Sequence, residues 1–401
     1  MAVPNLALSL GLLLLAWLAL YLLTRRLGLE RKGIYTYPLV VLYRYAKSDA
    51  LFARLIRWPR ALRAFGQVSV LVGFGLMAYA LWFLATNLMK HISAASGFEP
   101  LTILIPGVTI TSPEIIAYFL ISLPVILVVH EGAHGLLAKL EGLRIKAAGV
   151  GLAFIFPLGF VEPDEQEFQR ASMGVKLRIV AAGCAANIAL ALALTPLVLG
   201  LATSTSQPSI APILPEGLRD GLFRPKGVLV LDLNRSMGAG AAGVMPGDVL
   251  TSINGHQVLS SGELISTLRA LHLRPGQQVQ LSFIRLGRNY SLTMAAAADP
   301  MNSSRGVLGL YRFADYYEPL LYTLYLPPYY AGLLFWVWFL SLMVGLFNML
   351  PLKPLDGHAL ISAPLQSLGV KFKRAAEFSL SALSLALLAA NLAVSYLFYL
   401  G

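Results

Sequence analysis

Ile126-Leu127-Val128-Val129-His130-Glu131-Gly132-Ala133-His134 runs four apolar residues straight into two imidazoles and a carboxylate. The stretch lies inside the longer apolar run Ile115–Leu140, near the roughly 20 residues that a bilayer requires. On a helix, positions i and i+4 share one face, so His130 and His134 project together. Two imidazoles at that spacing can bind one tetrahedral zinc ion, and Glu131 beside them is placed to take a proton from water. A charged residue at bilayer depth costs at least about 2.5 kcal/mol. Glu and His there need a reason, and metal ligation beside a wet cavity supplies one.

Composition supports the membrane reading. The 401 residues are 57% apolar and 13% charged, against about 25% charged in soluble proteins. Apolar spans are expected at Leu6–Leu23, Gly66–Met89, Ile115–Leu140, Leu177–Ala202, Ala331–Leu350 and Ala375–Leu400. The first carries its charges, Arg25 and Arg26, after the apolar run, so it reads as an uncleaved helix with its N-terminus outside. The net charge of +11 follows the same topology rather than nucleic acid. Ten Lys or Arg residues lie between Arg25 and Arg63, against Glu30 and Asp49. Lys139, Arg144, Lys146, Lys176, Arg178, Lys371, Lys373 and Arg374 fall on the same side, the cytoplasmic one by the positive-inside rule. Six spans return the C-terminus to the outer face. The single cysteine, Cys184, excludes an internal disulfide and a cysteine-based zinc cluster, and reads as a small buried apolar residue.

Four regions follow. Residues 1–112 hold the N-terminal spans and the basic loop. Within that loop Arg54–Phe65 reads either as an amphipathic helix on the inner leaflet or as a solvated basic loop. Residues 113–203 hold the H-E-x-x-H helix, a broken apolar stretch Gly149–Pro163 and the next span. That stretch is too short and too rich in Gly and Pro to cross as a helix, so it is either a re-entrant β-hairpin beside a cavity or an interfacial loop. Residues 204–300 are more polar. Between Gly227 and Ala298 they alternate like strands, punctuated by Asn254-Gly255 and Pro275-Gly276, which reads as a small domain outside the cytoplasm. Thr203–Pro225 and Asp299–Pro328 are its expected linkers, and Tyr316–Tyr330 an aromatic anchor at the outer interface. Residues 301–401 hold the last two spans.

A third metal ligand must come from elsewhere. Asp356, in Asn348-Met349-Leu350-Pro351-Leu352-Lys353-Pro354-Leu355-Asp356-Gly357-His358, is the natural candidate, with His358 as a rival. Pro351 and Pro354 break the helix there. Asn348 carries an amide able to bind a substrate carbonyl or a developing oxyanion.

His130–His134 together with Asn348-x-x-Pro351-x-x-x-x-Asp356-Gly357 resembles the paired signatures of the site-2 protease family of intramembrane metalloproteases. A third signature, G-P-x-x-N, is matched by Gly183 and Asn187, with Cys184 in place of Pro. The resemblance covers about Ile115 to Pro364 and takes in Gly149–Pro163 as the family's re-entrant β-loop. It implies His130, His134 and Asp356 as metal ligands, Glu131 as acid and base, and Asn348 as an aid to substrate or oxyanion. Asn187 stands either beside Asn348 in that role or as a polar bond between helices. Ala241–Gly255, with Gly247-Asp248-Val249-Leu250-Thr251-Ser252-Ile253-Asn254-Gly255, resembles the core of PDZ domains, which read peptides at a sheet edge. The fold class expected is therefore an α-helical polytopic membrane protein of about six spans, with a re-entrant β-hairpin and an inserted α+β PDZ-like domain. The activity implied is zinc-dependent cleavage of single-spanning membrane proteins within the lipid bilayer, with the inserted domain reading peptide termini or gating substrates. A metal transporter or an inactive scaffold would need neither Glu131 between the imidazoles nor the full ligand set.

Overall fold

Long apolar runs form helices because in lipid every backbone N–H and C=O must be paired within the segment. The computed structural model describes residues 6–45, 47–93, 100–154, 156–201, 211, 214, 216–324, 326–367 and 372–400. Lys371 and part of the expected linker Thr203–Pro225 lie outside them. In chain order the N-terminal elements are α1 (Leu6–Arg26), β1 (Ile34–Tyr37), β2 (Val40–Tyr45), α2 (Ser48–Leu55), α3 (Pro59–Ile92), α4 (Pro113–Leu140), β3 (Ile145–Ala153), β4 (Phe156–Pro163), α5 (Glu165–Arg170) and α6 (Met173–Leu199). Then follow α7 (Glu216–Leu222), β5 (Phe223–Leu233), α8 (Gly238–Ala241), β6 (Val249–Ile253), β7 (His256–Gln257), α9 (Ser261–Leu271), β8 (Gln278–Arg285), β9 (Arg288–Ala295), β10 (Ala297–Asp299), β11 (Asn302–Val307) and β12 (Leu310–Pro319). The chain ends with α10 (Pro328–Phe347), α11 (Asp356–Ser367) and α12 (Lys373–Leu400). Two compact units form, one from residues 1–193 with 336–401, the other from 194–335.

In the first unit, α3, α4, α6, α10 and α12 are long and apolar enough to cross a membrane, five helices among the described residues. The first expected span lies within α1, 21 residues long. Polar clamps hold helices together where apolar contact gives no net drive in lipid. Asn87 Nδ2 donates to Asn391 Oδ1 at 3.0 Å, and Asn391 Nδ2 donates to the Leu84 carbonyl at 2.9 Å, tying α3 to α12.

The stretch Gly149–Pro163 is a hairpin, β3 and β4, in antiparallel register from Ala153 with Phe156 out to Ile145 with Pro163. It is not alone. β1 and β2, from the basic loop, extend it into a four-stranded sheet in the order β1-β2-β3-β4, with Val40 opposite Ala153 and Tyr45 opposite Ala148. Arg44 reaches across to Glu162 at 2.7 Å. β3 is thus paired on both sides, and β4 is one of the sheet's two edge strands, with β1 the other. Asp49, in α2, accepts from Lys139 Nζ at 2.8 Å and from the Ile145 N–H at 2.9 Å, tying the loop to α4 and β3. The Lys139 ammonium, then the Ile145 N–H, hold its carboxyl below the usual range.

The loop corrects one expectation. Arg54–Phe65 is neither one amphipathic helix nor a plain solvated loop. α2 stops at Leu55, the chain turns through Ile56–Trp58, and Pro59 opens α3. Proline suits that first helical position because its missing N–H would have no intrahelical partner there. Residues 59–65 are then the first turns of the second span.

The second unit is built on the antiparallel path β12-β5-β6-β8-β9, with β7 hydrogen-bonded to β6. Val228, Leu250, Ile253, Leu264 and Leu281 fill its core. The sheet takes in a segment that the sequence assigns to a linker. β12 pairs with β5 from Leu310 with Leu233 to Pro319 with Phe223, so Tyr316 and Tyr317 belong to a strand. The Gly-Asp pair of the 247–255 motif has a structural task. The Asp248 side chain is 1% exposed and takes two hydrogen bonds from Arg285, at 2.6 and 2.7 Å, and a third from the Met245 N–H. Replacing Arg285 by Ala would strand that carboxylate, at a cost of about 3–5 kcal/mol. Limited proteolysis of the full chain should then cut within residues 223–319 at protease levels that spare the parent.

Candidate metal centre

Three segments distant in sequence bring their polar groups to one point. α4 carries His130 and His134 one turn apart, with ring centroids 4.7 Å from each other. The turn between α10 and α11 delivers Asp356, the first residue of α11. That turn is tight because Gly357 packs on the main chain of Met349 and Leu350, where a Cβ would collide. The Gly357 N–H donates back to the Asn348 carbonyl at 3.0 Å and closes the loop.

The Asp356 Oδ2 lies 3.1 Å from His130 Nε2 and 3.2 Å from His134 Nε2, and the two Nε2 atoms are 3.2 Å apart. Two ligands at about 2.0–2.1 Å from one tetrahedral metal sit about 3.3–3.4 Å from each other. The triangle therefore has the size of one face of such a site.

Groups behind the imidazoles fix which nitrogen faces the carboxylate. His134 Nδ1 is 2.7 Å from the Ile179 carbonyl, which can only accept, so Nδ1 carries a proton and Nε2 is the nitrogen that, in the neutral ring, offers a lone pair. His130 Nδ1 is 3.2 Å from the Asn187 amide, whose Oδ1 is fully buried with no partner among the described residues. Turning that amide over satisfies Oδ1 and makes His130 Nδ1 the donor. Both rings then point electron pairs at an anionic oxygen, and a cation between them reconciles the three. Holding a ligand imidazole by its other nitrogen is the usual support of a metal site. The residues present fit a small divalent metal.

Of the other residues singled out in the sequence, Glu131 is half-buried and its Oε2 accepts from the Val161 N–H of β4 at 3.1 Å. Asn348 Nδ2 donates to Asp356 Oδ2 at 2.9 Å and lies 3.1 Å from His130 Nε2, so its amide faces the donor set itself. Asn187 sits behind His130. His358 turns away, 3.4 Å from Ser362 Oγ.

Two residues matter more than sequence reasoning allowed. Gly183 lets α6 approach α4. A Cβ there would fall 2.7 Å from His130 Cε1 and 2.8 Å from its Nε2, and would strike His134 Nε2 harder still. Cys184, read as a plain apolar residue, places its sulfur 3.7 Å from Asp356 Oδ2. An interior glycine in a membrane helix was the available signal for the first. For the second, the departure from G-P-x-x-N was the hint.

Gly183→Ala should displace both imidazoles and weaken metal retention by about 10–100-fold. Metal content after dialysis against a graded chelator series checks this, and parental retention would refute the close-approach argument.

The profile of peptidase family M50 matches residues 118–390, which span all of these residues. The uncharacterized protein MJ0971 of Methanocaldococcus jannaschii is 25% identical over 291 residues, 72% of this chain and 67% of that one. Zinc metalloprotease RasP of Geobacillus kaustophilus is 26% identical over 155 residues, 38% of this chain and 31% of the relative's length. Among solved structures, the PDZ domain of an SdrC-like protein from Listeria monocytogenes is similar at 21% identity. It covers 21% of this chain and 85% of that domain, with a TM-score of 0.19. Two histidines, an aspartate and the glutamate beside them thus lie within a match that spans most of the chain, which belongs to peptidase family M50, the site-2 proteases, and is a membrane metalloprotease.

Proposed function

We propose that this chain is an intramembrane zinc metalloprotease that cuts single-spanning membrane proteins inside the bilayer. The observation that carries the reading is the 3.1–3.2 Å triangle of His130, His134 and Asp356, with Glu131 on the same helix. Zinc held there supplies Lewis acidity, which polarises a scissile carbonyl and brings the ionisation of water near neutral pH. Glu131 takes the proton of the attacking water and hands it to the leaving amine. The Asn348 amide, already aimed at the donor set, hydrogen-bonds the carbonyl oxygen as charge builds on it.

A helical substrate hides its carbonyls in its own hydrogen bonds, so the cut segment must unwind. β4 offers it a place. A groove of about 620 Å³ runs beside β4 to Glu131, walled by Tyr43, Tyr45, Pro124, Leu127 and Phe160. Backbone groups along one edge of a strand recur every second residue. The Val161 N–H points toward α4, so those of Gly159 share its side. With β3 covered by β2, the unwound segment adds to the β4 edge. The basic residues of the 25–63 loop favour a cytoplasmic side for this face, with the termini and the inserted domain outside.

The inserted domain has a peptide-sized groove of its own, about 790 Å³, between α9 and the edge strand β12. Leu308 and Gly309, both buried, line it, and their N–H groups have no hydrogen-bond partner among the described residues. Arg269, His272, Arg274 and Arg305 line it too. Free N–H groups, cations and an open edge together suit a peptide that ends in a carboxylate. Amidating such a peptide should weaken its binding to the full chain about tenfold or more, the worth of one or two charge-assisted hydrogen bonds. Calorimetry of the paired peptides decides, and equal affinities would remove the carboxylate from the account.

The central test is Glu131→Gln. It should keep its metal while cleavage of co-expressed single-span proteins falls by about 10²–10⁴-fold. Robust cleavage by that variant would take Glu131 out of the role.

A further inference from the structure

Catalytic zinc sites keep one position open for water, whereas structural sites close all four with protein donors. The first three donors here are described above. A fourth candidate stands beside two of them, His130 and Asp356. Cys184 follows Gly183 on α6, at the point where that helix presses against the imidazoles. Its side chain is fully buried, and its sulfur lies 3.7 Å from Asp356 Oδ2. One donor atom each from His130, Cys184 and Asp356 lie within 4.8 Å of one another.

These separations can be weighed against coordination. Sulfur at about 2.3 Å and oxygen at about 2.0 Å from one tetrahedral metal lie about 3.5 Å apart, and sulfur and imidazole nitrogen about 3.6 Å. The Asp356 separation is already close to that value. The His130 separation, at most 4.8 Å, closes with a shift of at most about 1.2 Å (4.8 − 3.6) in the sulfur. A soft thiolate is also a stronger donor to zinc than neutral water.

We propose that Cys184 is itself a ligand of this centre, and that its thiolate fills the position that catalysis leaves to water, so the site rests latent. This rests on the metal-centre reading and adds a regulatory state to it. On ligation the S–H bond breaks, the sulfur bonds the metal and the proton passes to solvent, as for any cysteine ligand. Activation is the reverse: the sulfur leaves and regains a proton, and water takes its place. No electron is transferred.

The test uses the full-length protein loaded with Co²⁺ as the probe. The parent should show thiolate-to-cobalt charge-transfer absorption in the near ultraviolet together with visible ligand-field bands. Cys184→Ala should lose the first and retain the second, and its cleavage of a single-span substrate should rise. Cys184→Ser, closer in size, should lose the charge-transfer band in the same way. Retained ligand-field bands show that each variant still folds around its metal. Superimposable spectra from parent and Cys184→Ala would overturn the assignment of the thiol and leave the three-donor centre standing. Failure of the parent to bind Co²⁺ at all would overturn the centre and the thiol's part in it together.

Discussion

Everything in the first unit turns on bringing a carboxylate to two imidazole nitrogens within an apolar bundle. Asp356 cannot reach them from a straight helix. It arrives because α10 gives way to a prolyl turn, and because Gly357 lets that turn fold back on Met349 and Leu350. The imidazoles are held from behind by a carbonyl and an amide, each spending the ring nitrogen that does not face the carboxylate. α6 supplies both of those holders, and Gly183 lets it come near enough to do so. The polar groups of the centre are therefore answered by neighbours, which is what makes their burial tolerable at all.

The sheet is the second half of the site. Its strands come from two regions about a hundred residues apart, and they meet because the hairpin β3–β4 needs partners for its backbone. Glu131 connects the two halves. One end of its side chain belongs to the metal helix, and the other rests on the β4 amide of Val161.

The helices, and the shared face of His130 and His134, were legible in the sequence because their signals are local and periodic. Apolar runs declare spans, and H-E-x-x-H declares a helical face. The β3–β4 hairpin was half legible, since Gly and Pro ruled out a helix without fixing a partner. β1 and β2 were missed because their region was weighed by charge alone. Tyr35-Thr36-Tyr37 and Val40-Val41-Leu42-Tyr43 carry the β-branched and aromatic residues that favour strands, with Pro38-Leu39 between them as a turn. β12 was missed for a related reason: a tract rich in Tyr and Pro suits a membrane interface as well as a strand edge. Cys184 shows a deeper limit. Nothing in a small apolar-looking residue tells which helix will press against it.

The covering of β3 by the N-terminal hairpin has a consequence for how the enzyme should be thought of as a unit. Residues 34–45 precede the stretch that matches the peptidase family, yet they complete the same sheet as β4. A chain trimmed to the matched residues would leave β3 with a bare row of amides and carbonyls. Such an edge anneals to whatever extended chain drifts past. The partner that β3 needs on that side is thus supplied by a part of the protein that bears no catalytic group.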